Sequence, residues 1–201
     1  MNLIKLNRPT KDIGIFGSKG SFKTTVAVLI AYLENTFYGT TIFSNIEDLN
    51  FPHIYVKTIK EAKEMITGEN RKLFVGDDFE RWFYSRNWKK NLELTDVLLD
   101  WGKYYTSIIY NGKRMGSIDI GLIEGTTEFW YNEPKLYIRS NTGNSKTDEF
   151  NNNILKDYAN FLYIKILRWN NNFMELPSIR IYNIQEIFKL FSTHEIVKEV
   201  S

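Results

Sequence analysis

The chain has no cysteine and only two histidines, His53 and His194. The first absence excludes a disulfide framework, a thiolate metal site and a cysteine nucleophile. The second leaves no histidine-rich metal centre. Charge of one sign is missing as well. Lys and Arg total 26 against 24 Asp and Glu, for a net charge of +2. The field of the whole protein therefore does not advertise nucleic acid, and any such contact must be local. No apolar run approaches the roughly 20 residues that span a bilayer. The N-terminal stretch Met1 to Pro9 carries no signal-peptide core. The expectation is an intracellular protein with no membrane partner. What the chain does have is apolar bulk: 201 residues, 43% hydrophobic and 15% aromatic. That fits one domain, 1–201, with a sizeable core.

The most informative stretch is Ile13 to Thr25. An apolar strand leads into Gly17-Ser18-Lys19-Gly20-Ser21-Phe22-Lys23-Thr24-Thr25, and the apolar helix-like run Val26 to Leu33 follows. The loop matches the phosphate-binding pattern G-x-x-x-x-G-K-[ST] at Gly17, Lys23 and Thr24. Backbone N–H groups of such a loop, with a helix N-terminus, surround phosphates. Lys23 then reaches the β and γ phosphates, and the Thr24 hydroxyl takes Mg²⁺. Gly17 to Thr25 is the expected nucleotide-binding segment. Phe22 stands where the pattern has its second glycine, at a position where the backbone must pass close to phosphate. The expectation is a loop of the usual shape, with Phe22 turned into an apolar pocket beside the first helix.

Short apolar strands alternate with longer helical stretches along the chain, which argues for an α/β sheet. Strands are expected at 12–16, 40–44, 72–76 and 118–123, and helices at 23–35, 59–66 and 92–109. Segments 161–167 and 179–182, joined through Asn170-Asn171-Asn172, read as a C-terminal hairpin. Residues 140–153 form the most loop-like stretch.

The strand Lys72 to Gly76 ends in Asp77-Asp78, which has the form of a Walker B segment. Ligands of open α/β sheets bind off such strand ends. Asp77 is expected to hold Mg²⁺ through water, since that ion keeps most of its hydration and takes one or two carboxylates. Asp78 is the candidate that orients an attacking water, with Glu80 as the alternative base.

Taken in order, these motifs resemble the viral genome-packaging ATPases of the FtsK–HerA superfamily, including those of archaeal icosahedral viruses, and the zonula-occludens-toxin-like ATPases. The resemblance runs over nearly the whole chain. Ile42 to Ile46, with Asn45, is similar to the family's strand ending in Asn. Ser85-Arg86 is similar to its Ser-Arg pair after Walker B, and 112–116 to its basic stretch. Ile138-Arg139 and the ending Tyr182 to Glu195 also match in order. Three positions depart from the family: Phe22 for glycine, Asp78 for the usual Glu, and Glu124, Thr126 or Thr127 where a Gln sensor is expected.

The resemblance implies a P-loop NTPase fold of the RecA/FtsK type: a central, mostly parallel sheet flanked by helices, with the C-terminal β-hairpin. It implies ATP and Mg²⁺ as cofactors and a homo-oligomeric ring, hexamer or pentamer. Double-stranded DNA would be the translocated partner and a capsid vertex protein a further one, in the host cytoplasm and at the procapsid. Arg86, Arg114 and Arg139 are the candidates for an arginine supplied to a neighbouring subunit's nucleotide.

Two other functions stay open: a nucleotide-binding scaffold weak in hydrolysis, and a small phosphotransferase. ParA/MinD-type ATPases also end their loop in Lys-Thr-Thr, but their signature lysine falls at position 18, which is Ser here. Trp82, Phe83, Tyr84 and Trp88 with Lys89-Lys90 read as core plus a solvated rim ahead of a base-stacking surface.

Overall fold

The computed structural model describes residues 12–82, 101, 104–135, 163–182, 186–187 and 189–190. Its strands are β1 (Ile13–Phe16), β2 (Thr41–Ser44), β3 (Ile54–Tyr55), β4 (Lys72–Gly76), β5 (Thr106–Gly112), β6 (Glu128–Lys135), β7 (Tyr163–Asn170) and β8 (Glu175–Ile181). Its helices are α1 (Lys23–Tyr38), α2 (Ile59–Met65) and α3 (Ile120–Gly125), with 3-10 turns at Phe79–Arg81 and Met115–Ser117. All eight strands form one sheet in the order β3-β2-β4-β5-β1-β6-β7-β8. Neighbours from β3 through β6 run parallel. β7 and β8 add antiparallel at the end as a hairpin. The α/β architecture and the C-terminal hairpin agree with the sequence reading.

The central strands β1, β4 and β5 are buried on both faces, which explains their near-continuous apolar runs. Strand alternation sorts the side chains. Ile13, Ile15, Leu73, Val75 and Ile109 face α1, which packs Val26, Ala27, Val28 and Ala31 against them. Phe16, Phe74, Ile108, Tyr110 and Phe129 face the other way, onto Ile59 and Ala62 of α2, Phe79, Trp101 and Leu122 of α3. Trp82 lies against Phe74 and Phe79, with ring centroids 5.8 and 5.6 Å away. It packs on the core, as the sequence reading of the aromatic cluster has it. Among the described residues no helix is long and apolar enough to cross a membrane.

Two expected elements are corrected. The helix at 92–109 does not reach Ile109, because Thr106–Gly112 is the fully buried strand β5. Its run of β-branched and aromatic residues, Thr106-Ser107-Ile108-Ile109-Tyr110, suits a central strand. The strand at 118–123 is instead the start of α3. Asp119 caps that helix, its carboxylate accepting from the Gly121 N–H at 3.0 Å. The alternation Ile118-Asp119-Ile120 mimics a strand, and the cap overrides it. The loop 140–153, the Ser85-Arg86 pair, Arg139, the cluster residues at 83–90 and the ending beyond Leu190 lie outside the described residues.

Candidate nucleotide site

The site forms where β1, β4 and β5 end, because their parallel pairing brings Gly17, Asp77 and Asn111 to one edge of the sheet. Gly17 leaves β1 at φ +150°, and a Cβ there would come within 2.5 Å of Ser21 Oγ. The chain then turns through Ser18, Lys19 and Gly20, with the Ser21 N–H donating to Ser18 O at 3.2 Å. Phe22 is the N-cap of α1 in the left-handed conformation, φ 60° and ψ 33°. This is the backbone state that a glycine adopts without cost and a bulky residue does not. The Phe22 side chain is held by packing against the apolar core under α1. The loop keeps its turn, but Phe22 is only half-buried where the sequence reading expected a buried ring. The strain of about 1–3 kcal/mol is carried by that packing.

The first turn of α1 follows at once and contains no acidic residue. Its N–H groups have no intrahelical acceptors and carry the positive end of the helix dipole. They open into a cleft of about 580 Å³ bounded by residues 19–25, Asp78, Arg81, Asn111 and Lys113. Lys23 is folded back over the loop, its Nζ donating to Gly17 O at 3.1 Å and Ser18 O at 2.9 Å. Burial holds its ammonium below the ordinary lysine pKa, while Asp77, Asp78 and Glu80 pull it part of the way back. A partly desolvated cation held by backbone carbonyls suits an incoming phosphate.

The other half of the cleft is built from side chains far apart in sequence. Thr24 Oγ1 donates to Asp77 Oδ1 at 2.6 Å. Asn45 clamps Asp77 by its backbone, accepting from the Asp77 N–H at 2.7 Å and donating to Asp77 O at 2.8 Å. Asn111, 1% exposed on β5, accepts from the Asp78 N–H at 2.8 Å. The same carboxamide donates to Asp77 Oδ1 and, at 3.4 Å, to Thr24 Oγ1. It therefore ties α1, the end of β4 and the next residue into one network.

Asp78 sits at φ 45°, and its carboxylate pairs with Arg81 at 3.0 Å. Glu80 turns away toward the link after β5. Its Oε2 accepts from the Lys113 N–H and Ser117 Oγ, both at 3.0 Å. Burial pushes the Glu80 carboxyl up, but those hydrogen bonds and the Lys113 charge outweigh it, leaving it below the ordinary value.

Gly17 to Thr25, Asp77 and Asp78 are thus brought together. Arg114 borders an adjoining cleft, and Arg86 lies outside the described residues. The sensor candidates are corrected. Thr127 bonds Asp12 O by both its N–H and its hydroxyl, at the start of β1 and the opposite edge of the sheet. Thr126 bonds Tyr110 and Leu122, and Glu124 belongs to α3, the helix before β6. Besides Asn45, a second polar residue at a strand end beside Asp77 is Asn111, which the sequence reading missed. Its one local signal was an Asn-Gly pair closing an apolar run.

Thr24 and Asp77 present two hard oxygens from different elements at the loop's end. This donor set fits Mg²⁺, which takes few protein ligands and completes its shell with water and phosphate oxygens. Among the described residues no cluster of three or more His, Asp or Glu offers a rival metal site.

The fold is one that P-loop ATPases among the solved structures share. The N-terminal domain of zonular occludens toxin from Neisseria meningitidis superimposes with a TM-score of 0.55 at 13% identity, over 90% of this chain and 99% of that one. B204, the DNA-packaging ATPase of Sulfolobus turreted icosahedral virus, gives 0.55 at 13% identity, over 85% and 97%. The flagellar accessory protein FlaH from Methanocaldococcus jannaschii gives 0.50 at 12%, over 87% of each chain. At these identities the likeness is one of fold. No family sequence profile matches the chain, and no curated protein matches it by sequence.

Proposed function

We propose that this chain binds ATP with Mg²⁺, hydrolyses it, and uses the turnover to move double-stranded DNA as a homo-oligomeric ring, in the manner of a viral genome-packaging ATPase of the FtsK–HerA type. The observation that carries the reading is the joined set Thr24, Asp77 and Asn111 beside a phosphate loop whose N-cap holds the left-handed turn. The fold shared with B204 and the zonular occludens toxin domain supports it.

The chain's own residues would act as follows. Lys23 leaves the carbonyls of Gly17 and Ser18 and meets the phosphates, where each charge-assisted contact is stronger than the one it gave up. The N–H groups at the start of α1 take the remaining phosphate oxygens. Thr24 and Asp77 would hold Mg²⁺, which when bound would neutralise charge developing on the phosphates. Asn111 fixes the Asp77 carboxylate and the Asp78 backbone, so the acid stays aimed at the loop. Asp78 orients a water at the end of the cleft and accepts its proton. An arginine from a neighbouring copy, Arg86, Arg114 or Arg139, completes charge stabilisation in a ring, where each site lies at an interface.

One observation favours the alternative of a hydrolysis-weak scaffold: the Asp78 carboxylate is engaged by Arg81. Phosphate release with and without double-stranded DNA separates the two. The motor reading expects DNA-stimulated turnover that Asp78→Asn removes while ATP binding persists. Nucleotide binding with no turnover in wild type replaces the motor with the scaffold.

A further inference from the structure

Two buried polar side chains beside the phosphate loop have no hydrogen-bond partner, Ser21 and Asn132. Asn132 lies on β6 and is 1% exposed. Its neighbour Tyr131 pairs with Phe16, the last residue of β1, so position 132 stands level with Gly17. A Cβ on Gly17 would meet Ser21 Oγ at 2.5 Å and the Asn132 carbonyl oxygen at 3.2 Å. The first residue of the loop is therefore wedged between the two. Strand alternation puts the Asn132 side chain on the face of Trp130, which belongs to the apolar layer under α1. Its register partner Ile166 belongs to the same layer. Both carboxamide atoms of Asn132 and the Ser21 hydroxyl are unbonded there.

Buried polar groups are nearly always paired, and each exception calls for a reason. Here three such atoms surround a loop whose carbonyls are held by a group that has to leave. Lys23 Nζ donates to Gly17 O and Ser18 O, and the same ammonium is the one that meets the phosphates. Gly17 is buried, so its carbonyl then needs another donor. We infer that Asn132 is a positioning residue for the nucleotide-bound loop. Once Lys23 has moved, Asn132 Nδ2 donates to the Gly17 carbonyl, and Asn132 Oδ1 accepts from the Ser21 hydroxyl. All three orphaned atoms gain a partner in that state and none has one in this state. The backbone is already in place, since Gly17 lies against both residues. A contact made only with nucleotide bound raises affinity by its own differential worth. The inference rests on the reading of this loop as a nucleotide site, and it names what replaces Lys23 on the carbonyls.

The test is a double-mutant cycle on the full chain, read by calorimetry with ATP and Mg²⁺ and by urea titration without nucleotide. Asn132→Leu should weaken ATP binding about fivefold, the worth of one net hydrogen bond. Without nucleotide its urea midpoint should hold or rise, because an unpaired amide gives way to an apolar group. In the Lys23→Ala background the Gly17 carbonyl is free with or without ATP. There Asn132→Leu should leave ATP affinity unchanged and lower the urea midpoint. Asn132→Ala carries the same affinity predictions should the leucine not fit. The Asn132 carboxamide resonance of ¹⁵N-labelled protein, assigned by its loss in Asn132→Leu, should shift on adding ATP and Mg²⁺. A lowered midpoint in Asn132→Leu with ATP affinity intact makes Asn132 a packing residue and overturns the proposal. So does an equal loss of affinity with and without Lys23. Wild type that binds no ATP overturns the proposed function and this inference together, whereas ATP binding that neither Asn132 variant alters overturns this inference alone.

Discussion

The two walls of the nucleotide cleft are built on opposite plans. The phosphate loop is contiguous: Gly17 to Thr25 supply its turn, its cation and its hydroxyl within one stretch of backbone. The acidic wall is assembled from Asn45, Asp77 and Asn111, which stand at the ends of three different strands. The first is governed by local dihedrals and a helix N-terminus. The second exists only if β2, β4 and β5 pair in register, so its cost of disruption is a tertiary cost. Ligand affinity should therefore fail when the loop is altered, and stability should fail when the acidic wall is.

The largest expected effect breaks the acidic wall. Asn111→Leu leaves the Asp78 N–H without its partner and the Asp77 carboxylate with Thr24 alone, which should cost about 2–3 kcal/mol. A urea titration should show the lower midpoint, whereas an unchanged midpoint would remove Asn111 from the centre of the network. Next, Lys23→Ala should lower ATP affinity by about ten- to a hundredfold, the worth of one or two charge-assisted contacts. Its stability should hardly move, because a desolvated cation is removed from the empty loop. Calorimetry with ATP and Mg²⁺ reads the first, and the same urea titration reads the second.

Smaller still, Phe22→Gly relieves the left-handed strain and forfeits packing against the core under α1. The two terms oppose each other at about 1–2 kcal/mol each. ATP should bind at least as tightly, and a weaker affinity would mean that the ring shapes the site.

The smallest effect is a pH dependence at Glu80. Its folded carboxyl lies below the ordinary value, so its stabilisation is complete above the unfolded pKa and fades as pH falls through the folded one. The stability gap between wild type and Glu80→Gln should therefore be present at neutral pH and close in acid. A gap that persists undiminished in acid would show that the carboxylate charge contributes nothing to holding the 113–117 link.

The same contrast explains what was legible. The phosphate loop could be read because every residue it needs lies in the short run Gly17 to Thr25, and Phe22 could be flagged because it stands at a glycine position. Asp77 was readable as an acid closing an apolar strand. Asn111 was not. Its strand continues the apolar pattern from which a helix was inferred, and its role depends on β5 entering the sheet between β4 and β1. The helix at 120–125 was hidden by the alternation Ile118-Asp119-Ile120, which only the Asp119 cap resolves. Glu124, Thr126 and Thr127 looked like sensor positions because strand order cannot be counted along a sequence.

The chain alone determined the loop chemistry, the strain to be carried at position 22 and the acid at the end of β4. These follow from local backbone geometry and from apolar runs that must be buried. Tertiary structure decided which strand lies beside which. It thereby made Asn111 rather than Thr126 or Thr127 the partner of Asp77 and turned Glu80 to anchor the link after β5. Strand order and register are set by packing summed over the whole sheet, and no short stretch of sequence contains that sum.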